Sequence, residues 1–206
     1  IALERTGNLP AALLAYKKAV ALDKNELQYL NNLAGATFNS GNPAEALELY
    51  SKVAAANEKA VNYNGLGLAY FKLGKKTEAE NTFKKGLALM PSFELYLGLA
   101  NFYINTARPA EAVKYYQEAL KINPAGERAY NNLGVAYLQL NNAAVGEKMF
   151  LKAVEINPNF IEGYENLVKV YFAAGRKPEA LNICTRILSL NPTNPLALEA
   201  KKQLEK

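Results

Sequence analysis

Residues 63–74 read YNGLGLAYFKLG, and the fold turns on whether Gly65-Leu66-Gly67 opens a phosphate-binding loop or lies inside a helix. A dinucleotide fingerprint needs three glycines spaced GxGxxG directly after a strand, so that backbone N–H groups at a helix start reach a pyrophosphate. Tyr70 stands where the third glycine belongs, and no strand-like run precedes Tyr63. The stretch is also not unique: YLNNLAGATFNSG (29–41), YLGLANFYINTA (96–107), YNNLGVAYLQLN (130–141) and YENLVKVYFAAG (164–175) share its spacing. A pattern written five times is architecture, not a single ligand loop.

The period is 33 to 34 residues, marked by Pro91, Pro124, Pro158 and Pro192, three of them in Asn-Pro pairs. Each period holds two helical patterns. In the first, apolar or small residues fall at offsets 0, 3, 4 and 7, as in Tyr63, Leu66, Gly67 and Tyr70, or Tyr130, Leu133, Gly134 and Tyr137. In the second they fall at 0, 4, 7 and 8, as in Ala112, Tyr116, Ala119 and Leu120. Both are single stripes on a 3.6-residue helix. Short connections carrying Gly or Pro separate them, among them Gly41-Asn42-Pro43 and Gly175-Arg176-Lys177-Pro178, as helix ends and starts require. The unit is an antiparallel helix pair in which small residues allow close backbone approach.

These residues resemble the tetratricopeptide repeat. The family's pattern matches Tyr130, Leu133-Gly134, Tyr137, Phe150, Ala153 and Pro158, with Asn141 and Gly146 in place of the usual Gly and Ala. Val168 at a small position, Ala107 at the loop glycine and Cys184 at an aromatic position are further departures. The resemblance places a partial repeat at 1–26, full repeats at 27–59, 60–92, 93–126, 127–160 and 161–194, and a capping helix over 195–206. It implies an all-α fold, a right-handed superhelical solenoid whose first helices line a concave groove. Ile1 is expected to open midway through a first helix, leaving an end that more chain, a partner or a second copy covers.

Composition narrows the function. The 206 residues include no His, no Trp and one Cys, so an ordinary metal cluster and an internal disulfide are not expected, and no cofactor is. No run is long and apolar enough for a membrane span. Net charge is +5, which raises nucleic acid or an acidic partner. Most tyrosines, however, occupy packing columns, which argues against base stacking. Cys184 shares such a column with Tyr50 and Tyr116, and no His is present to activate it. Carboxylate pairs such as Glu162 and Glu165 on a helix face read as solvated. No enzyme is expected.

If the first helices line a groove, it is weakly charged. The windows 27–40, 60–73, 93–106, 127–140 and 161–174 contain only Lys72, Glu94, Glu127, Arg128, Glu162, Glu165 and Lys169 as charges, a net of −1. They are rich in amides instead, and an Asn side chain donates and accepts as a peptide bond does. The candidate peptide-binding residues are Asn31, Asn32, Asn39, Asn64, Gly65, Lys72, Gly98, Asn101, Asn105, Arg128, Asn131, Asn132, Gln139, Asn166 and Lys169. In the family, asparagines one before the Leu of the Leu-Gly pair form a ladder along a bound backbone, and Asn32, Asn132 and Asn166 hold that column. Gly65 and Gly98 interrupt it, an expected gap for a bulky ligand side chain flanked by Phe71 and Tyr96. Clamps for chaperone C-termini need Lys where this chain has Asn31, Asn64, Leu97, Asn131 and Glu165, so that specificity is not expected. The function that follows is a protein-interaction scaffold holding an extended, weakly charged peptide. The alternatives are a docking or targeting module of a larger protein, such as an enzyme, lipoprotein or secretion component, and a nucleic-acid binder using the basic convex face.

Overall fold

The computed structural model describes residues 8–23, 25–58 and 62–205. Within them lie twelve α-helices: α1 Leu9–Leu22, α2 Leu27–Asn39, α3 Pro43–Ala56, α4 Tyr63–Lys72, α5 Lys76–Leu89, α6 Phe93–Asn105, α7 Pro109–Ile122, α8 Glu127–Gln139, α9 Ala143–Ile156, α10 Ile161–Ala173, α11 Lys177–Leu190 and α12 Pro195–Leu204. The expectation that Ile1 begins midway through a helix falls on residues 1–7, outside the described residues.

The chain forms two compact units that meet in sequence between Phe102 and Tyr103. In the first, α2 packs on α1 and α3, α3 also touches α4, and α4 pairs with α5. In the second, α8 pairs with α9 and touches α7, α9 reaches α10, and α10 pairs with α11, on which α12 closes.

The two sequence stripes are the buried faces. In α5, Ala79, Phe83 and Gly86 are buried, and in α7 Ala112, Tyr116 and Ala119 are. Leu133 and Gly134 of α8 bury beside Phe150, whose ring lies so close that a Cβ on Gly134 would meet it at 2.6 Å. Cys184 is fully buried among Leu167, Ala180 and Ile187 in the core of the second unit.

The turn after each first helix repeats one design. Gly41, Gly74 and Gly175 adopt positive φ, and so do Ala107 at 56° and Asn141 at 57°. The next N–H then reaches back five residues, from Lys75 to the Tyr70 carbonyl, Arg108 to Tyr103 and Arg176 to Tyr171. This is the bond that satisfies end carbonyls when a helix stops in a left-handed residue. Ala107 holds the conformation without glycine's freedom, which costs about 1–2 kcal/mol.

Candidate functional site

The fifteen sequence-selected residues separate by position within the repeat. One position, that of Asn31 and Asn131, which Glu165 continues in the next repeat, faces the start of the following repeat. Asn31 Oδ1 accepts from the Asn62 backbone N–H at 3.1 Å, just before α4 begins. Asn131 Nδ2 donates to Glu162 Oε1 at 3.0 Å, in the first turn of α10. Glu165 Oε1 accepts from Asn194 Nδ2 at 2.8 Å, and the Asn194 side-chain oxygen caps α12 through the Ala197 N–H. These side chains stitch one repeat to the next.

The stitch is densest in the second unit. Asn131 is 0% exposed and Asn166 8%. Asn166 Nδ2 donates to Asn131 Oδ1 at 2.8 Å, Asn131 Nδ2 also donates to Asn132 Oδ1 at 3.3 Å, and Lys169 Nζ donates to Asn166 Oδ1 at 3.2 Å. Asn132 in turn bonds the Tyr116 hydroxyl, and burial holds that phenol far above its ordinary range. A buried amide must find partners within the protein, and Asn131 has spent both donors and its acceptor there. It has nothing left for a ligand backbone.

The expected gap at Gly65 and Gly98 is filled. A Cβ on Gly65 would lie 2.1 Å from the Tyr50 hydroxyl oxygen, and one on Gly98 would lie 2.1 Å from Asn64 Oδ1 and 2.9 Å from the Phe83 ring. Both glycines are buried. They are glycine because the protein's own side chains occupy the space, so the pocket for a bulky ligand residue does not form there. Asn64 Oδ1 is itself buried and has no hydrogen-bond partner among the described residues.

A second position stays at the surface. Asn39, Lys72, Asn105 and Gln139, each near the C-terminal end of its first helix, are exposed. Arg128 and Lys169 are exposed as well, while Asn32 and Asn101 are half-buried, Asn32 taking the Gln28 side-chain amide at 3.1 Å. Sequence reasoning did not single out the basic residues that follow the turns. The Arg108 guanidinium stacks 4.5 Å from the Tyr103 ring centroid, and Arg176 stacks 4.3 Å from that of Tyr171. Arg176 also grips both Glu147 oxygens and bonds Glu179 at 2.8 Å. Their recurrence five residues after a column tyrosine was the available signal.

Among the described residues no group of three His, Cys, Asp or Glu is placed to hold a metal ion, and no helix is long and apolar enough to cross a membrane. The outer lysines are in part neutralised locally, Lys84 by Glu80, Lys121 by Glu118 and Lys152 by Glu155.

Models of the tetratricopeptide repeat match residues 1–61, 60–93, 93–125 and 127–160, and a further TPR repeat model matches 110–141. The chain is similar to the crystal structure of YrrB, described as a TPR protein with an unusual peptide-binding site. That similarity has 23% identity and a TM-score of 0.66 over 91% of this chain and 98% of that one. It resembles a chain of the APC/C Cut9–Hcn1 hetero-tetramer at 17% identity and a TM-score of 0.82, covering 99% of this chain but 41% of the other. It is also similar to MamA, at 27% identity and a TM-score of 0.60 over 76% of this chain and 87% of that one. No curated protein sequence matches it significantly.

Proposed function

Because the chain belongs to the tetratricopeptide repeat family, whose arrays are in general non-enzymatic protein-interaction scaffolds, we propose that it binds an extended, weakly charged protein segment on the exposed faces of its first helices. The observation that carries this reading is the division of the amides into two sets. The buried set serves inter-repeat packing, whereas Asn39, Asn105 and Gln139 stand exposed at one repeat position with Lys72. Exposed amides offer the donors and acceptors that an extended backbone pairs with. The resemblance to a protein with a peptide-binding site lends support by analogy of fold alone.

The test is a pull-down with cross-linking, comparing wild type with an Asn39→Ala, Asn105→Ala, Gln139→Ala variant at low and moderate salt. A partner cross-linked to these helices, kept at moderate salt and lost by the folded variant is expected. A partner bound equally by both places recognition elsewhere. Binding that collapses between the two salt concentrations would favour nucleic acid on the outer helices instead, a reading disfavoured by the local ion pairs there. Exposed Leu14 and Leu22 on α1 favour self-association as a secondary property, which light scattering at several concentrations tests.

A further inference from the structure

Two apolar hollows flank α10 in the second unit. The first, about 360 Å³, lies between α10 and α12, where Val168, Phe172, Ala173, Leu196 and Ala200 form its walls. The second, about 440 Å³, is bounded by Leu138, Ala144, Val170 and Ala174. Both volumes are in the range of ligand pockets. Lys169 and Ala173 line both, so the two hollows are neighbours on one helix, with a cation where they adjoin. Phe172 is 45% exposed at the first.

The charges around these hollows are distributed unevenly. Glu147 at the second is held by both oxygens on Arg176, so its charge is answered. Lys169 donates to the neutral amide oxygen of Asn166, which orients the ammonium without neutralising it. Glu199, on the α12 wall of the first hollow, takes the Gln203 amide at 2.7 Å. The α10 wall thus offers a cation, and the α12 wall an anion, on either side of an apolar floor.

We propose that this surface seats a partner segment carrying a large apolar side chain beside an internal Asp or Glu, the side chain entering the hollow between α10 and α12 and the carboxylate meeting Lys169. The apolar floor supplies burial, and the carboxylate supplies the charge complement that Asn166 does not. A second hollow continues beyond Lys169, so the segment runs past it and the carboxylate is an internal side chain, not a chain end. Glu199 repels a second acid on the α12 side, which fixes direction. The proposal rests on the protein-binding reading above and narrows it to one site and one partner chemistry.

The test is selection from a random octapeptide library with amidated C-termini, run on the full chain, Lys169→Glu, Glu199→Gln and Ala173→Trp, with helicity of each checked by circular dichroism. Ala173 is exposed and lines both hollows, so Trp there obstructs them without opening the core. Wild type is expected to enrich an aromatic or aliphatic residue next to Asp or Glu. Lys169→Glu is expected to weaken those peptides about tenfold or more and to select Lys or Arg in place of the acid. Glu199→Gln should admit peptides with a second acid, and Ala173→Trp should abolish enrichment of the apolar residue. Peptides enriched without this pairing, or bound equally by Lys169→Glu and Ala173→Trp, overturn the site while leaving the scaffold reading intact. No enrichment by wild type overturns both.

Discussion

Gly35 and Gly65 lie in consecutive first helices of the same unit, and both approach the hydroxyl of the one buried Tyr50. Replacing either with alanine gains helix propensity of about 1 kcal/mol. A Cβ on Gly35 would rest 3.6 Å from the Tyr50 oxygen, an ordinary contact, so Gly35→Ala is expected to stabilise by about 0.5–1 kcal/mol. A Cβ on Gly65 would lie 2.1 Å from that oxygen, 2.5 Å from Cζ and 3.1 Å from Cε2. The ring end must retreat by more than about 1 Å, yet Tyr50 is 1% exposed and its surroundings are packed. Overpacking of this kind costs about 1–3 kcal/mol, which exceeds the propensity gain, so Gly65→Ala is expected to destabilise by about 1–2 kcal/mol. The assay is urea unfolding followed by circular dichroism. Repeat arrays can unfold in segments, but both substitutions act in the same unit and report on the same transition. Opposite shifts of the midpoint are expected. Equal stabilisation by the two would mean that Gly65 is not closed over by Tyr50 and that the ligand gap expected from the sequence is open.

Ala107→Gly should stabilise by about 0.5–1 kcal/mol, since relief of the left-handed conformation outweighs glycine's larger unfolded-state entropy; an unchanged thermal midpoint would contradict the strain at this turn. Asn131→Ala and Asn166→Ala should each cost about 1–3 kcal/mol by stranding buried partners, and the double variant should cost clearly less than their sum; additive losses in a double-mutant cycle would show that the two amides are not coupled. The Arg108 and Arg176 side chains hold the Glu111 and Glu179 carboxyls below their ordinary value of 4.5, with the glutamates' own backbone N–H groups assisting. Stability from these contacts is therefore complete above pH 4.5 and fades as pH falls through the lowered folded values, and Arg176→Lys, which lacks the planar fork, should flatten that acid limb in a pH series of thermal melts. Cys184 is buried, and burial pushes its thiol above the ordinary range, so Ellman's reagent at pH 8 should react fully only in denaturant; prompt native labelling would refute its place in the core.

Much of the helical framework was legible because it is written locally and repeatedly. The stripes of Leu66, Gly67, Phe83 and Gly86 have only helical spacing to satisfy, and five copies of that spacing leave little room for another reading. The departures at Ala107 and Asn141 did not mislead, since the backbone imposes positive φ at that position whatever residue occupies it. The candidate site was less legible. Asn131 and Gln139 are both amides on one helix, and nothing in their identity says that the first is sealed among Glu162, Asn132 and Asn166 while the second faces solvent. Gly65 looks like an opening in the sequence, but Tyr50, fifteen residues earlier on another helix, fills it. The hollow beside Lys169 joins α10 to α12 across some thirty residues and has no local signature. The sequence by itself determined the helices, their pairing and the faces they bury, because helical period and turn chemistry are properties of neighbouring residues. Only the tertiary structure decided which polar side chains are consumed in holding repeats together and which stand exposed, because a hydrogen bond or a filled space depends on what the next repeat brings against it.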